Sequence, residues 1–259
     1  MRRTAICIAL LAALLAGCGG STGEARTRFA LRVAPASDLG AIQNEHGFTV
    51  ALSKAVISLG ALTFYAGAPL VTSDSVPTAA APRRRAARTL LSRVARAVRW
   101  LWPVSTAHAH PGHYSEGGAL AELRVDRTID LLADEPARVG EAAGVTGDYR
   151  SLAVDIGTIS IVGTASKAGQ QPIRFAATLH VDKAVLGAPV AAGFDPAPGG
   201  AHSGAAELQI DAAQWVSRID FARLSQTDAL QTFADDSQAY NALSRGAYNA
   251  AAFTAVWTN

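Results

Sequence analysis

Cysteine is almost missing from this 259-residue chain, which holds only Cys7 and Cys18. Both fall near the start, so no disulfide can staple the remainder, and stability there has to come from apolar burial. A chain of this length can bury enough surface for that. Methionine is scarcer still, with Met1 the single example. Without thiols or thioethers the body offers no soft ligands, which disfavours Cu(I) chemistry. Long apolar runs are also lacking. The one at Ala5–Ala16 is too short to cross a bilayer, which takes about 20 residues, and no later run is longer. There is no Gly-x-Ser-x-Gly elbow, no phosphate-cradling loop and no dinucleotide fingerprint. The expectation is a non-enzyme. With a net charge of only +2, no nucleic-acid partner is expected either.

What is present begins with a leader. Met1-Arg2-Arg3, the apolar run and the small residues Ala16-Gly17 have the layout of a secretory signal over residues 1–17. Leu15-Ala16-Gly17-Cys18 resembles the lipobox of bacterial lipoproteins. That resemblance implies cleavage before Cys18 and acylation of Cys18, which would tie the chain to a lipid bilayer. A single acyl chain anchors only marginally, whereas the several chains implied by the family hold firmly. Gly19-Gly20 after the cysteine lacks the Asp that retains such proteins at the inner membrane. The expected location is therefore the cell envelope, lipid-anchored at the outer membrane and facing the periplasm. Residues 18–26 read as the lipidated cysteine and a flexible Gly/Ser/Thr tether.

Residues 27–259 read as one β-rich domain. Arg28–Val33, Phe48–Ser53, Val56–Leu59 and Leu62–Tyr65 alternate apolar and polar between Gly and Pro breaks, the pattern of strands buried on one face. Further strands are expected at Ala119–Val125, Thr128–Leu132, Tyr149–Ile156, Thr158–Gly163, Pro172–Val181 and Ala206–Ile210. Asp211 is placed to cap a short helix. Asp236 or Ser237 is placed to cap another over Gln238–Ala247, and Phe253–Trp257 alternates again. Many short strands with few helices argue for a sandwich or barrel. The expected fold is an antiparallel β-sandwich of immunoglobulin-like, Greek-key type, with short C-terminal helices.

Residues 72–107 interrupt this pattern. Seven arginines lie at positions 83, 84, 85, 88, 93, 96 and 99, with no acid among them. Setting these and the two leader arginines aside leaves 14 basic residues against 21 acidic, a net −7. Leu90, Leu91, Val94, Val98 and Leu101 recur at helical spacing and lead into Trp100-Leu101-Trp102-Pro103. A basic amphipathic helix over residues 83–103 could lie on an anionic membrane surface. It could equally be a solvated insert between strands.

The sharpest chemical signal follows. His108, His110 and His113 fall within six residues, around Pro111-Gly112. Pro-Gly suits the centre of a type II turn, so His110 and His113 would sit within about 7 Å. His108 shares a face with His110 if the chain is extended there. Converging imidazoles suit Zn, Cu(II) or Ni. A fourth ligand is expected from Glu116 or Glu122 nearby, or from His202 in the glycine-rich loop Pro198–Gly204. His46 and His180 are weaker candidates. Two plainer readings stand beside this one. The tract is a polar loop without a ligand, or Ser105–Ala109 belongs to a processed linker.

His110-Pro111-Gly112-His113-Tyr114 is similar to metal-handling envelope proteins with His-Pro-Gly-His early in the mature chain. The strand-rich body with C-terminal helices and a final aromatic strand resembles the periplasmic copper-binding proteins found beside methanobactin genes. That likeness implies copper handling but assigns no residue. The function expected is non-catalytic binding or buffering of zinc or copper. The alternative is a non-catalytic envelope β-sandwich that contacts a protein, a glycan or a membrane surface.

Overall fold

The computed structural model describes residues 25–70, 116–194, 196, 204–225 and 229–258. The protein is mainly β. In chain order its strands are β1 (Arg26–Pro35), β2 (Ile42–Gln43), β3 (Thr49–Tyr65), β4 (Ala119–Asp130), β5 (Ala137–Val145), β6 (Ser151–Ser166), β7 (Ile173–His180), β8 (Val185–Pro189), β9 (Ala205–Ile210), β10 (Gln231–Thr232) and β11 (Phe253–Thr258). Two helices, α1 (Ala213–Val216) and α2 (Gln238–Ala247), stand between β9 and β11.

Several expected strand breaks are bulges instead. Phe48–Ser53, Val56–Leu59 and Leu62–Tyr65 run together as the 17-residue β3, with register shifts at Leu52/Lys54 and on both sides of Gly60. Likewise Gly157 lies inside β6 rather than between two strands. Asp126 lies inside β4 at a φ of 45°, an unusual value for a residue with a side chain. A bulge inserts one residue and bends the strand without ending it. Turn-forming residues within an apolar alternation therefore curve this sheet.

The described strands belong to one sheet, ordered β10-β7-β6-β3-β4-β5-β1-β9-β11, with β2 on β3 and β8 on β6. Two separate antiparallel sheets were expected. The sheet is instead mixed, because β1 pairs parallel with β9 and β7 parallel with β10. It also curls back on itself. β8 pairs with the first part of β6, and Val190, one residue past β8, bridges Ala255 of β11. The path from β6 through β3, β4, β5, β1, β9 and β11 thus returns to β6 by way of β8.

The core shows the same curl. Phe29 on β1 and Phe64 on β3 are three strand spacings apart along the sheet, about 14 Å if it were flat. Their rings meet edge to face at 5.6 Å. Phe29 also touches Tyr149, Phe194 and Trp257 at centroid distances of 6.0, 5.7 and 5.9 Å. These rings fill one half of the ring of strands. Phe175, Phe221, Phe233 and Phe48 form a second cluster under the helices, with centroids 5.0 to 5.5 Å apart.

The helices follow the expected positions with one correction. Ser237 caps α2, its side chain accepting from the Tyr240 N–H at 3.1 Å. For α1 the capping position is Ala212, not Asp211, although the Asp211 carboxylate does accept from the Ala213 N–H at 3.1 Å.

Candidate metal centre

His108, His110, His113 and His202 lie outside the described residues, as do Cys18 and the arginine segment 83–103. Glu116 is described, and so are the residues where each of the two histidine-bearing segments leaves the sheet. At the end of β3, the Gly67 N–H donates to the Glu116 carbonyl at 2.9 Å and the Ala66 N–H to the Gly118 carbonyl at 3.1 Å. Gly117 has a φ of 73°, and a Cβ there would meet the Gly67 nitrogen at 2.8 Å. Only glycine allows the chain to re-enter the sheet this close to where it left. Leu70 is tied through its N–H to the Gly187 carbonyl at 2.9 Å, next to β6.

The loop bearing His202 rejoins the sheet at Gly204, against the Trp257 indole, where a Cβ would overlap the ring. Ala205 then pairs with Thr258 and with Ala30. Following the pairings, Tyr65, Ala119, Val145, Arg26, Ala205, Thr258, Ser151 and Pro189 all lie at one end of the curled sheet. The Ala25 carbonyl accepts from the Thr146 N–H at 2.8 Å, so the described chain also begins there. One pole thus gathers Glu116, Gly204 and Ala25.

Eight strands about 4.8 Å apart and tilted about 40° enclose a ring about 16 Å wide. His113 is three residues from Glu116 and His202 two from Gly204, which reach at most about 11 and about 7 Å. Together these upper limits, about 18 Å, slightly exceed the width of the pole.

The other candidates are elsewhere. Glu122 is exposed on the outer face of β4, between Thr63 and Ala143. His46 is exposed in the turn before β3, where its carbonyl accepts from Lys167 Nζ at 2.9 Å. His180 is exposed at the end of β7 opposite Thr158. Among the described residues, no three His, Cys, Asp or Glu side chains are grouped to hold a metal ion. Among them, too, no helix is long and apolar enough to cross a membrane.

Sequence reasoning passed over the aromatic floor of this pole. Tyr149 and Phe194, with Pro69, Asp148, Arg150 and Val190–Gly193, line a recess of about 250 Å³. The Tyr149 hydroxyl donates to the Val145 carbonyl at 2.7 Å, and burial pushes its pKa up to about 12. Arg150 and Asp148 flank it as an ion pair at 3.9 Å. The expected strand Tyr149–Ile156 takes in Tyr149 and Arg150, but no local pattern joins them to Pro69 and Val190–Gly193, which they meet only in the fold. Comparison with protein-family models, curated proteins and solved structures finds no match.

Proposed function

We propose that this chain is an envelope lipoprotein, anchored through acylated Cys18, which binds a divalent transition metal without catalysis. His108, His110 and His113 are the core ligands, with Glu116 and His202 completing the set for Zn, Cu(II) or Ni. The observation that carries this reading is the convergence of Glu116 and Gly204 at one pole. In sequence the histidine cluster precedes Glu116 and His202 precedes Gly204, which supports a shared ligand set. Imidazole with carboxylate is the donor set these metals take. The expected sandwich enters this reading as two facing walls of one curled sheet, across which Phe29 and Phe64 meet.

The test is calorimetric titration of Zn(II) and of Cu(II) into the full chain in detergent. The expected result is one site of micromolar or tighter affinity, lost in H108A/H110A/H113A and weakened in H202A. Binding that survives the triple substitution overturns the ligand assignment. Mass spectrometry of the mature protein tests the anchor. The expected result is an N-terminal Cys18 carrying acyl chains, and an unmodified or uncleaved chain overturns it.

A further inference from the structure

The opposite pole carries a different chemistry. β9 ends there at Ile210, and α1 follows directly, packed against α2. The two helices approach closely at Gly246, where a Cβ would run into the Gln214 carbonyl and the Trp215 Cα. That approach forms a cleft of about 300 Å³ lined by Gln214, Ser217, Arg218, Arg245, Gly246 and Asn249. A second recess, of about 160 Å³, adjoins it and shares both arginines.

The amide side chains around the cleft are occupied in building it. Gln238 donates to the Arg218 carbonyl at 3.0 Å and accepts from the Asp220 N–H at 3.1 Å. Gln214 donates to Asp211 at 3.2 Å and accepts from Asn249 at 3.3 Å. Asn241 donates to the Ser237 carbonyl at 2.9 Å. The guanidinium groups are not so occupied. Arg218 meets Glu45 through Nε alone, at 3.4 Å. Arg245 has no ion pair or side-chain hydrogen bond among the described residues. Two forked cations therefore face one polar cleft whose walls are fixed by the scaffold. Planar guanidinium forks are matched to carboxylate and phosphate oxygens.

The geometry points to a binding site for a small oxyanion, a phosphate or carboxylate group, held between Arg218 and Arg245. It lies at the opposite end of the sheet from Glu116 and Gly204 and does not depend on the proposed metal site. Two acids are bonded to residues lining the cleft: Asp211 accepts from Gln214, and Glu45 pairs with Arg218. The anion would compete with Glu45 for Arg218 and meet Arg245 without a rival.

The test titrates inorganic phosphate, and separately succinate, into the full chain at low ionic strength. The expected result is one saturable site that weakens about tenfold in R245Q and in R218Q. R223Q is the control, since Arg223 pairs with Asp220 outside the cleft, at 3.2 Å. Saturation by phosphate alone assigns the phosphate class, and by succinate alone the carboxylate class. As a check that needs no variant, the bound anion should protect Arg245 of the native chain from phenylglyoxal, read by peptide mass spectrometry. No saturable binding of either anion, equal binding in R245Q and the parent, or unprotected Arg245 at saturation overturns the site.

Discussion

Alkaline titration should report on Tyr149. Its side chain is 3 % exposed, among Phe29, Phe64 and Phe194, and its hydroxyl donates to the Val145 carbonyl. Burial disfavours the phenolate and raises the pKa from 10.0 to about 12. A group whose folded pKa is raised stabilises the fold fully below its unfolded pKa, and that contribution is lost as pH rises through the folded value. Here the unfolded chain sheds the proton first, so stability falls between about pH 10 and about pH 12. Two pKa units correspond to roughly 3 kcal/mol in all, about half of it gone by about pH 11. Y149F provides the comparison. It lacks the hydroxyl and so costs about 1 kcal/mol at neutral pH through the lost hydrogen bond. It also lacks the titration. The parent and Y149F should therefore have equal stability near pH 11, with Y149F the more stable above it. Urea denaturation followed by tryptophan fluorescence, at steps from about pH 8 to about pH 11.5, measures both proteins. A difference that stays constant across this range refutes the claim that Tyr149 is held as the neutral phenol.

Other substitutions probe the sheet's closure and its helices. F29A removes the ring at the centre of four aromatic contacts and should cost about 3–5 kcal/mol, with F29L costing clearly less, both measured by urea denaturation. G246A forces a methyl against the α1 backbone and should destabilise by roughly 1–3 kcal/mol, as a lower thermal midpoint. S237A removes the α2 cap and should cost about 1 kcal/mol by the same assay. At the other pole, G117A places a Cβ on the Gly67 backbone at a positive φ, so the β3–β4 junction should lose amide-exchange protection at Ala66 and Gly67.

The sequence made the strands legible where one face is buried and the other is not. β1, β7, β9 and β11 lie within a residue or two of their expected positions because each alternates cleanly. β5 (Ala-Arg-Val-Gly-Glu-Ala-Ala-Gly-Val) went unread because its small residues carry little contrast. Gly144 has to be small, since a Cβ would strike Leu120 and Ala121. β8 went unread because five residues between turns give too short a pattern. Gly60 and Gly157 read in sequence as strand ends, yet both lie within longer strands. A local signal cannot tell a bulge from a turn when the partner strand decides whether pairing resumes. Sheet order was hidden for a related reason. The parallel β1–β9 pairing joins residues some 175 positions apart, as Ala30 and Ala205 show, and no local pattern encodes it. The histidine cluster was legible as chemistry because its residues are adjacent, whereas Arg218 and Arg245 meet only through helix packing at Gly246.

The closure of the sheet gives the proposed functions their geometry. Antiparallel pairing along β3, β4 and β5 puts the end of β3 and the start of β4 where β1 begins. The parallel pairing of β1 with β9 then requires β9 to begin at that end and to finish at the other. Because of this one pairing, Gly204 shares a pole with Ala25, while α1, and with it Arg218, leaves from the far side. Had β9 run antiparallel to β1, Gly204 and Glu116 would lie at opposite ends, about 15–20 Å apart for strands of this length. On the proposed reading, a lipid anchor at Cys18 holds the pole of Glu116 and Gly204 near the bilayer and turns the arginine cleft away from it. This separation makes the two sites independent in experiment. Substituting the histidines should leave anion binding unchanged, and R245Q should leave metal affinity unchanged. Coupling between the two titrations would contradict the polar arrangement.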